Sequence, residues 1–383
     1  MNPEGRVIVD MRDAAAPSVR FERPGDVVRV LKGKTRDEAI RIIPMIYSIC
    51  GLAQVHAASC ALDAALGNRV ELRTDLARQA LVGMESLREQ LLRIMLDWPG
   101  FSGETPRAHD AAPVMQFTSR LKAALFDGDP FAADAAPLED TRAALEVIDQ
   151  AEALLVDLVF GQDAESWLSL RGRDGLMDWA QRCNTVAGTF IGGLILAGEA
   201  DLAEVVPLAD INAVWMTGND RFAGLDQALA SLAEGKTAGV AETTLYSRLR
   251  QNPLLQSMGG NGLLVRHLAR LVELAQLPER MRNLVAGTGA ASEAGREEHD
   301  GVSRGWSRIE AARGTLVHAV SLRDGRIESY SILPPTLWNF HSEGVARLCL
   351  SRIGRTAPER TERLSRLVVN AVDPCVGYEL RVA

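Results

Sequence analysis

The chain has 383 residues, a formal net charge of −8 and a hydrophobic fraction of 47%. That is enough apolar material for a sizeable core and too much for a globally disordered chain. The acidic balance argues against a nucleic-acid footprint, which needs clustered positive charge, and basic residues alternate with acids, as across Glu359 to Arg366, in the manner of a solvated helix face.

No apolar run is long enough to span a bilayer. The best, Ala187 to Ala197, is too short and holds Gly188, Gly192 and Gly193. Met1 to Arg12 lacks the apolar centre of a signal peptide, so a cytoplasmic location is expected, with no membrane insertion. The five cysteines, Cys50, Cys60, Cys183, Cys349 and Cys375, are odd in number and scattered. They suggest a reducing compartment rather than a disulfide framework.

In chain order, Arg6–Asp10, Ser18–Glu22 and Val27–Leu31 are short β-prone runs, with Pro24-Gly25 as a turn. Helical spacing begins at Thr35 with Ala39, Ile42, Ile43 and Ile46, and Pro44 predicts a kink or an early end. A helix is expected from about Leu52 to Leu66, stopped by Gly67. A long one should follow from about Asp75 to Asp97, with Leu76, Ala80, Met84, Leu87, Leu91 and Met95 on one stripe. Trp98 to Pro113 and Asp127 to Pro137 are expected loops. Further helical stretches cover Glu139 to Val159, Trp167 to Ala187, Asp220 to Ala233 and Gly262 to Val285.

Ala286 to Gly305 is small, polar and Gly-rich, and is expected to be a flexible loop. Thr315–Leu322 and Arg326–Leu333 alternate around Asp324-Gly325, a strong hairpin signal. Helices near Leu337 to Ser351 and Pro358 to Ala371 close the chain, with a short tail after Pro374. The fold class expected is α+β, predominantly α, in a single unit over 1–383. Within it lie an N-terminal β-rich segment (1–34), a helical core (35–285), and a hairpin, helices and cysteine-bearing tail (306–383).

Some residues have chemistry beyond packing. Cys50 precedes Gly51 at the start of a helix, where the helix dipole would favour a thiolate, although a free cysteine is more commonly core. His56 and Cys60 stand four apart on one helix face. That spacing could bind a metal, but a core histidine or a hydrogen-bonding partner of metal ligands is the commoner role for His56. Cys375 sits in Asp373-Pro374-Cys375-Val376-Gly377, a constrained place for a mere core residue. Arg313, before Gly314, reads either as a surface arginine or as one held over an anion. CxxC, HExxH, P-loop and GxSxG motifs are absent.

In order, these segments resemble the large subunit of nickel–iron hydrogenases. The N-terminal match runs through Leu31-Lys32-Gly33, Ile49-Cys50-Gly51, His56 and Ala61 to Gly67. The C-terminal match comprises Glu310 to Gly314, Leu333 to Asn339 and Asp373-Pro374-Cys375. The resemblance implies a metal centre that the family builds from two CxxC pairs. Here the second member of each pair is replaced, by Ala53 and by Tyr378. Those are the positions that bridge nickel and iron in the family, so hydrogen turnover is not expected. Arg381 falls on the last position of the family's terminal box, and no peptide to be cleaved is expected after it.

What remains looks like an accessory protein of the HupK/HoxV type. The resemblance implies a scaffold that transiently holds the Fe(CN)2(CO) fragment, with nickel not expected. Cys50 and Cys375 would be its metal ligands, while His56, Arg313, Pro335 and Thr336 would surround them. Glu4 corresponds loosely to an acid on the family's proton path. The partners implied are a HypC-type maturation chaperone and the hydrogenase large subunit. A divergent hydrogenase-type redox enzyme and a metal-free interaction protein in hydrogenase assembly are the alternatives.

Overall fold

The structure, a computed structural model, describes residues 5–13, 15–22, 27–47, 49–210, 222, 225, 228–230 and 241–383. Glu4, Pro24-Gly25 and most of the helix expected over Asp220 to Ala233 lie outside the described residues. Among the described residues no helix is long and apolar enough to cross a membrane.

The N-terminal strands β1 (Arg6–Asp10) and β2 (Ser18–Glu22) pair antiparallel, as expected. Val27–Leu31 is a 3-10 turn rather than a strand. Val28 and Leu31 are buried while Arg29 and Val30 face solvent. Burial three residues apart suits a helical turn, not the alternation of a strand.

Helix α1 (Arg36–Ile46) begins at a reciprocal cap: Thr35 and Glu38 each accept the other's backbone N–H. It ends two residues after Pro44. Helix α2 (Gly51–Leu66) stops at Gly67, whose φ of 73° lies in the left-handed region. Helix α3 (Leu72–Phe101) buries the whole expected stripe. It outruns the sequence expectation because Trp98 is buried too, stacked 4.3 Å from Phe190 and donating to Asn370 Oδ1 at 2.9 Å.

Helices α4 (Val114–Leu125), α5 (Arg142–Leu155), α6 (Gly172–Arg182), α7 (Val186–Leu196) and α8 (Leu263–Val285) surround α3 in one apolar core. The sequence reading missed α4. It also ran Trp167 to Ala187 together, where Thr185 accepts the Gly188 N–H and starts a new helix.

The stretch expected as a flexible loop is strand β3 (Glu293–His299), which turns at Asp300-Gly301 into β4 (Val302–Ala311). Its edge position explains the missing signal. β3 is rich in charged residues and is held by backbone pairing, so its side chains carry no apolar alternation. β5 (Gly314–Arg323) and β6 (Arg326–Leu333) complete a four-stranded antiparallel sheet in the order β3-β4-β5-β6. The β5–β6 turn has φ of 52° at Asp324 and 71° at Gly325, as Asp-Gly predicts.

The sheet lies on α2, and the closest approach is at Gly305. A Cβ there would sit 2.0 Å from the Ala61 carbonyl oxygen. The helix expected over Leu337 to Ser351 is two short ones, Pro335–Asn339 and Val345–Leu350. At the end of the first, the Asn339 side chain accepts from the N–H of Thr243 and donates to its C=O.

Helix α9 (Pro358–Val372) ends at Asp373. The tail after it forms strand β7 (Tyr378–Arg381), which the sequence did not announce. It pairs in parallel with β1, Val7 opposite Tyr378 and Asp10 opposite Arg381. The two ends of the chain therefore share one sheet.

Asp373 is buried at φ 59°, and its carboxylate meets three guanidiniums. Arg93 of α3 lies at 2.9 Å, Arg270 of α8 at 3.2 Å and Arg313 of the β4–β5 turn at 3.4 Å. These charges hold the Asp373 carboxyl far below the usual carboxylate range, against the opposing effect of burial. Glu89 takes a second side of Arg313 at 3.2 Å. Gln90 bridges Arg270 and the Ala312 carbonyl.

Two predictions follow from these buried charges and imidazoles. Asp373→Asn leaves two buried cations and the half-buried Arg93 short of one counter-charge, so it should cost on the order of 3 kcal/mol in denaturant unfolding. It should also speed maleimide labelling of Cys375, two residues on; unchanged stability and labelling would contradict the pinning role. His267 packs edge-on against the stacked rings of Trp98 and Phe190, and burial lowers its pKa to about 3. The unfolded chain takes up a proton near pH 6.5 that the folded chain refuses. Stability should therefore fall as pH drops from about 6.5 towards 3, and His267→Phe should narrow the difference in urea midpoint between about pH 7 and about pH 5.

Candidate metal centre

Cys50 and Cys375 line one small cavity with Gln54, Ala311, Ala312, Arg313, Leu316, Pro334 and Pro335. Its volume is ≈ 20 Å³. That is room for about one water and far below the ~300–1,000 Å³ of small-molecule sites, so an organic cofactor does not fit it.

Each side chain arrives on a different element. Cys50 is the residue before α2. The α2 amides do not serve its sulfur, contrary to the expectation from the helix dipole. Glu85, on α3, accepts the N–H of Leu52 at 2.9 Å and of Ala53 at 3.0 Å. The helix N-terminus thus already holds a carboxylate, whose own pKa burial raises to about 7. Burial, then Cys375 and Glu85, push the Cys50 thiol well above its usual range, with Arg313 opposing. A metal binding there must displace a proton.

Cys375 is held by Thr336. The Thr336 hydroxyl accepts the Cys375 N–H at 2.9 Å and donates to Sγ at 3.0 Å. Thr336 therefore positions a candidate ligand, while Pro335 lines the cavity itself. Arg313 is buried and raised further in pKa by Asp373 and Glu89 against desolvation. It stays a cation, and its Nη1 has no hydrogen-bond acceptor among the described residues. A buried donor without a partner costs about 1–3 kcal/mol, so an acceptor from outside the protein chain, a water or a ligand, would be favoured there. Gly314, at φ 133°, lets this turn pass against Thr243, whose carbonyl oxygen would lie 2.1 Å from any Cβ.

Gln54 was not picked out from the sequence, although it stands one helical turn after Cys50. Its Nε2 points at Cys50 Sγ from 3.8 Å. Its Oε1 lies 2.9 Å from His318 Nε2, and His318 Nδ1 lies 2.7 Å from the Tyr330 hydroxyl. Burial keeps that phenol protonated. A consistent set of donors then runs from Tyr330 through His318 and Gln54 to the sulfur, which assigns the His318 proton to Nε2.

Other expected residues lie elsewhere. His56 does not line the cavity. Two residues past Gln54, it points about 200° around the helix, where it meets Cys60, Asp75 and Ser292. Ala53 is buried and offers only its N–H, to Glu85. Tyr378 lines a different cleft, beside Arg93 and Pro374, with its hydroxyl 3.5 Å from Arg366 Nη1.

Comparison with known proteins agrees with this architecture. Residues 201–376 match the nickel-dependent hydrogenase family. The hydrogenase expression/formation protein HupK of Azotobacter vinelandii is 29% identical, over 99% of this chain and 98% of its own. The hydrogenase expression/formation protein HoxV of Cupriavidus necator is 27% identical, over 97% and 94%. The Ni-Fe-Se hydrogenase of D. vulgaris Hildenborough superposes with a TM-score of 0.62 over 94% of this chain and 93% of its own, at 14% identity. The chain thus has the fold of the nickel–iron hydrogenase large subunit and is similar over nearly its whole length to hydrogenase expression/formation proteins of the HupK/HoxV type.

Proposed function

We propose that this chain serves nickel–iron hydrogenase maturation without turning over hydrogen, by holding the Fe(CN)2(CO) fragment between Cys50 and Cys375 for transfer to the catalytic large subunit. The observation that carries this reading is the cavity itself. Two thiols from opposite ends of the chain share it with a buried arginine whose Nη1 is left without an acceptor. Thiolates suit a soft or borderline metal that brings its own ligands. A guanidinium N–H suits the nitrogen end of a bound cyanide, and the walls of Ala311, Ala312, Leu316 and the two prolines suit uncharged carbon monoxide. Nickel bridged to iron would need more thiolates, and Ala53 has no donor while Tyr378 faces another cleft.

Release is favoured by the same features that define the site. Two thiolates hold less firmly than four, and reprotonation of the half-buried Cys50 competes with the metal. The partners in this reading are a HypC-type chaperone and the hydrogenase large subunit, and similarity to hydrogenase expression/formation proteins supports a place in maturation. With ≈ 20 Å³ of free space, the cavity has to open for the fragment to enter between the two thiols.

Protein isolated anaerobically from a hydrogenase-producing host should show infrared bands of iron-bound cyanide and carbon monoxide. A Cys50→Ser/Cys375→Ser double variant should lose them and fail to support hydrogenase maturation. Arg313→Lys keeps the charge but loses the fork of donors, and should lower fragment retention by roughly tenfold. Because Cys50 must lose a proton on loading, retention should strengthen with rising pH. A fold-intact double variant that still matures hydrogenase would refute the reading.

A further inference from the structure

We propose a second metal site, separate from the thiol cavity, in which His56, Cys60 and Asp75 bind a divalent first-row transition ion of zinc-like preference. His56 and Cys60 lie one turn apart on α2, and Asp75 comes from the first turn of α3. His56 Nε2 is 3.5 Å from Asp75 Oδ1 and 3.9 Å from Cys60 Sγ, and Cys60 Sγ is 3.9 Å from Asp75 Oδ1. A triangle with those sides has a point about 2.2 Å from all three atoms, within the roughly 2.0–2.3 Å bonds that such donors make to zinc. One nitrogen, one sulfur and one oxygen form a borderline-soft set that magnesium and calcium do not seek.

The surroundings fit a ligand set rather than a chance cluster. Asp75 Oδ2 is anchored by the Ser292 N–H at 2.6 Å and by Gln79 Nε2 at 3.0 Å, which turns Oδ1 toward the other donors. The Ser292 hydroxyl lies 2.9 Å from His56 Nε2, where a fourth ligand or its hydrogen-bond partner would stand. Arg78 is the nearby cation, but its guanidinium is committed to the carbonyls of Pro130 and Ala132 and to Ser59. Cys60, Asp75 and Ser292 also line a surface pocket of ≈ 830 Å³ with Asn68, Glu71 and Leu72, which gives an ion a route in. A bound ion would staple α2, α3 and the segment leading into β3. Its role would be structural, and it owes nothing to the cargo reading of Cys50 and Cys375.

Cobalt(II) titration of the untagged, full-length Cys50→Ser/Cys375→Ser variant tests the site with the thiol cavity removed. The expected result is one equivalent bound with a thiolate-to-cobalt charge-transfer band. Zinc should displace the cobalt and raise the thermal midpoint. Adding Cys60→Ser should abolish the band, and Asp75→Asn, which keeps the shape of the side chain, should weaken binding by about tenfold or more. Circular dichroism reports that each variant is folded. A folded double variant that gives no thiolate band, or a band that survives Cys60→Ser, overturns the proposal.

Discussion

The Asp373 carboxylate is the point on which the site depends. Three guanidiniums from α3, α8 and the β4–β5 turn converge on it, and Pro374 and Cys375 follow it directly. Burying so many charges is costly unless each is matched, and the matching is geometric. Glu89, Gln90 and the Asn370 carbonyl complete the set. A small shift in any element would break a contact in the low-dielectric interior, so the network fixes where the C-terminal cysteine meets the N-terminal one.

The same economy governs the thiols. A helix N-terminus is a natural place to lower a cysteine pKa, yet here Glu85 occupies those amides. Cys50 is left protonated in a buried, nearly apolar pocket, with Gln54 and Arg313 as its polar neighbours. Thr336 does for Cys375 what Gln54 does for Cys50, supplying a hydrogen to sulfur and fixing its direction. A metal bound there would have to displace a proton, which fits the proposed passage of cargo better than permanent retention.

Where signals were local, they held. The α3 stripe, the Gly67 stop and the Asp324-Gly325 turn rest on short-range periodicity and backbone conformation, and each is present. Expectations failed where distant partners decide. β3 carries charges because it is an edge strand, and Val27–Leu31 curls because Val28 and Leu31 share one buried side. β7 exists only because β1 is there to pair with it. In the site, Cys50, Cys375, Arg313 and Pro335 were legible through resemblance, and Gln54 could have been found from its one-turn spacing. His56 could not be placed, since one helix face looks like another until its neighbours are known.

The sequence by itself determined the elements with strong local codes, the survival of two cysteines, and the replacement of their partners by Ala53 and Tyr378. Only the tertiary structure decided that the two thiols share a cavity, that Tyr378 turns into a different cleft, and that His56 joins Cys60 and Asp75 instead. The reason is physical. Local conformation follows from nearby side chains and backbone hydrogen bonds. The meeting of positions 50 and 375 follows from a shared sheet and a buried charge network whose members are scattered across the chain.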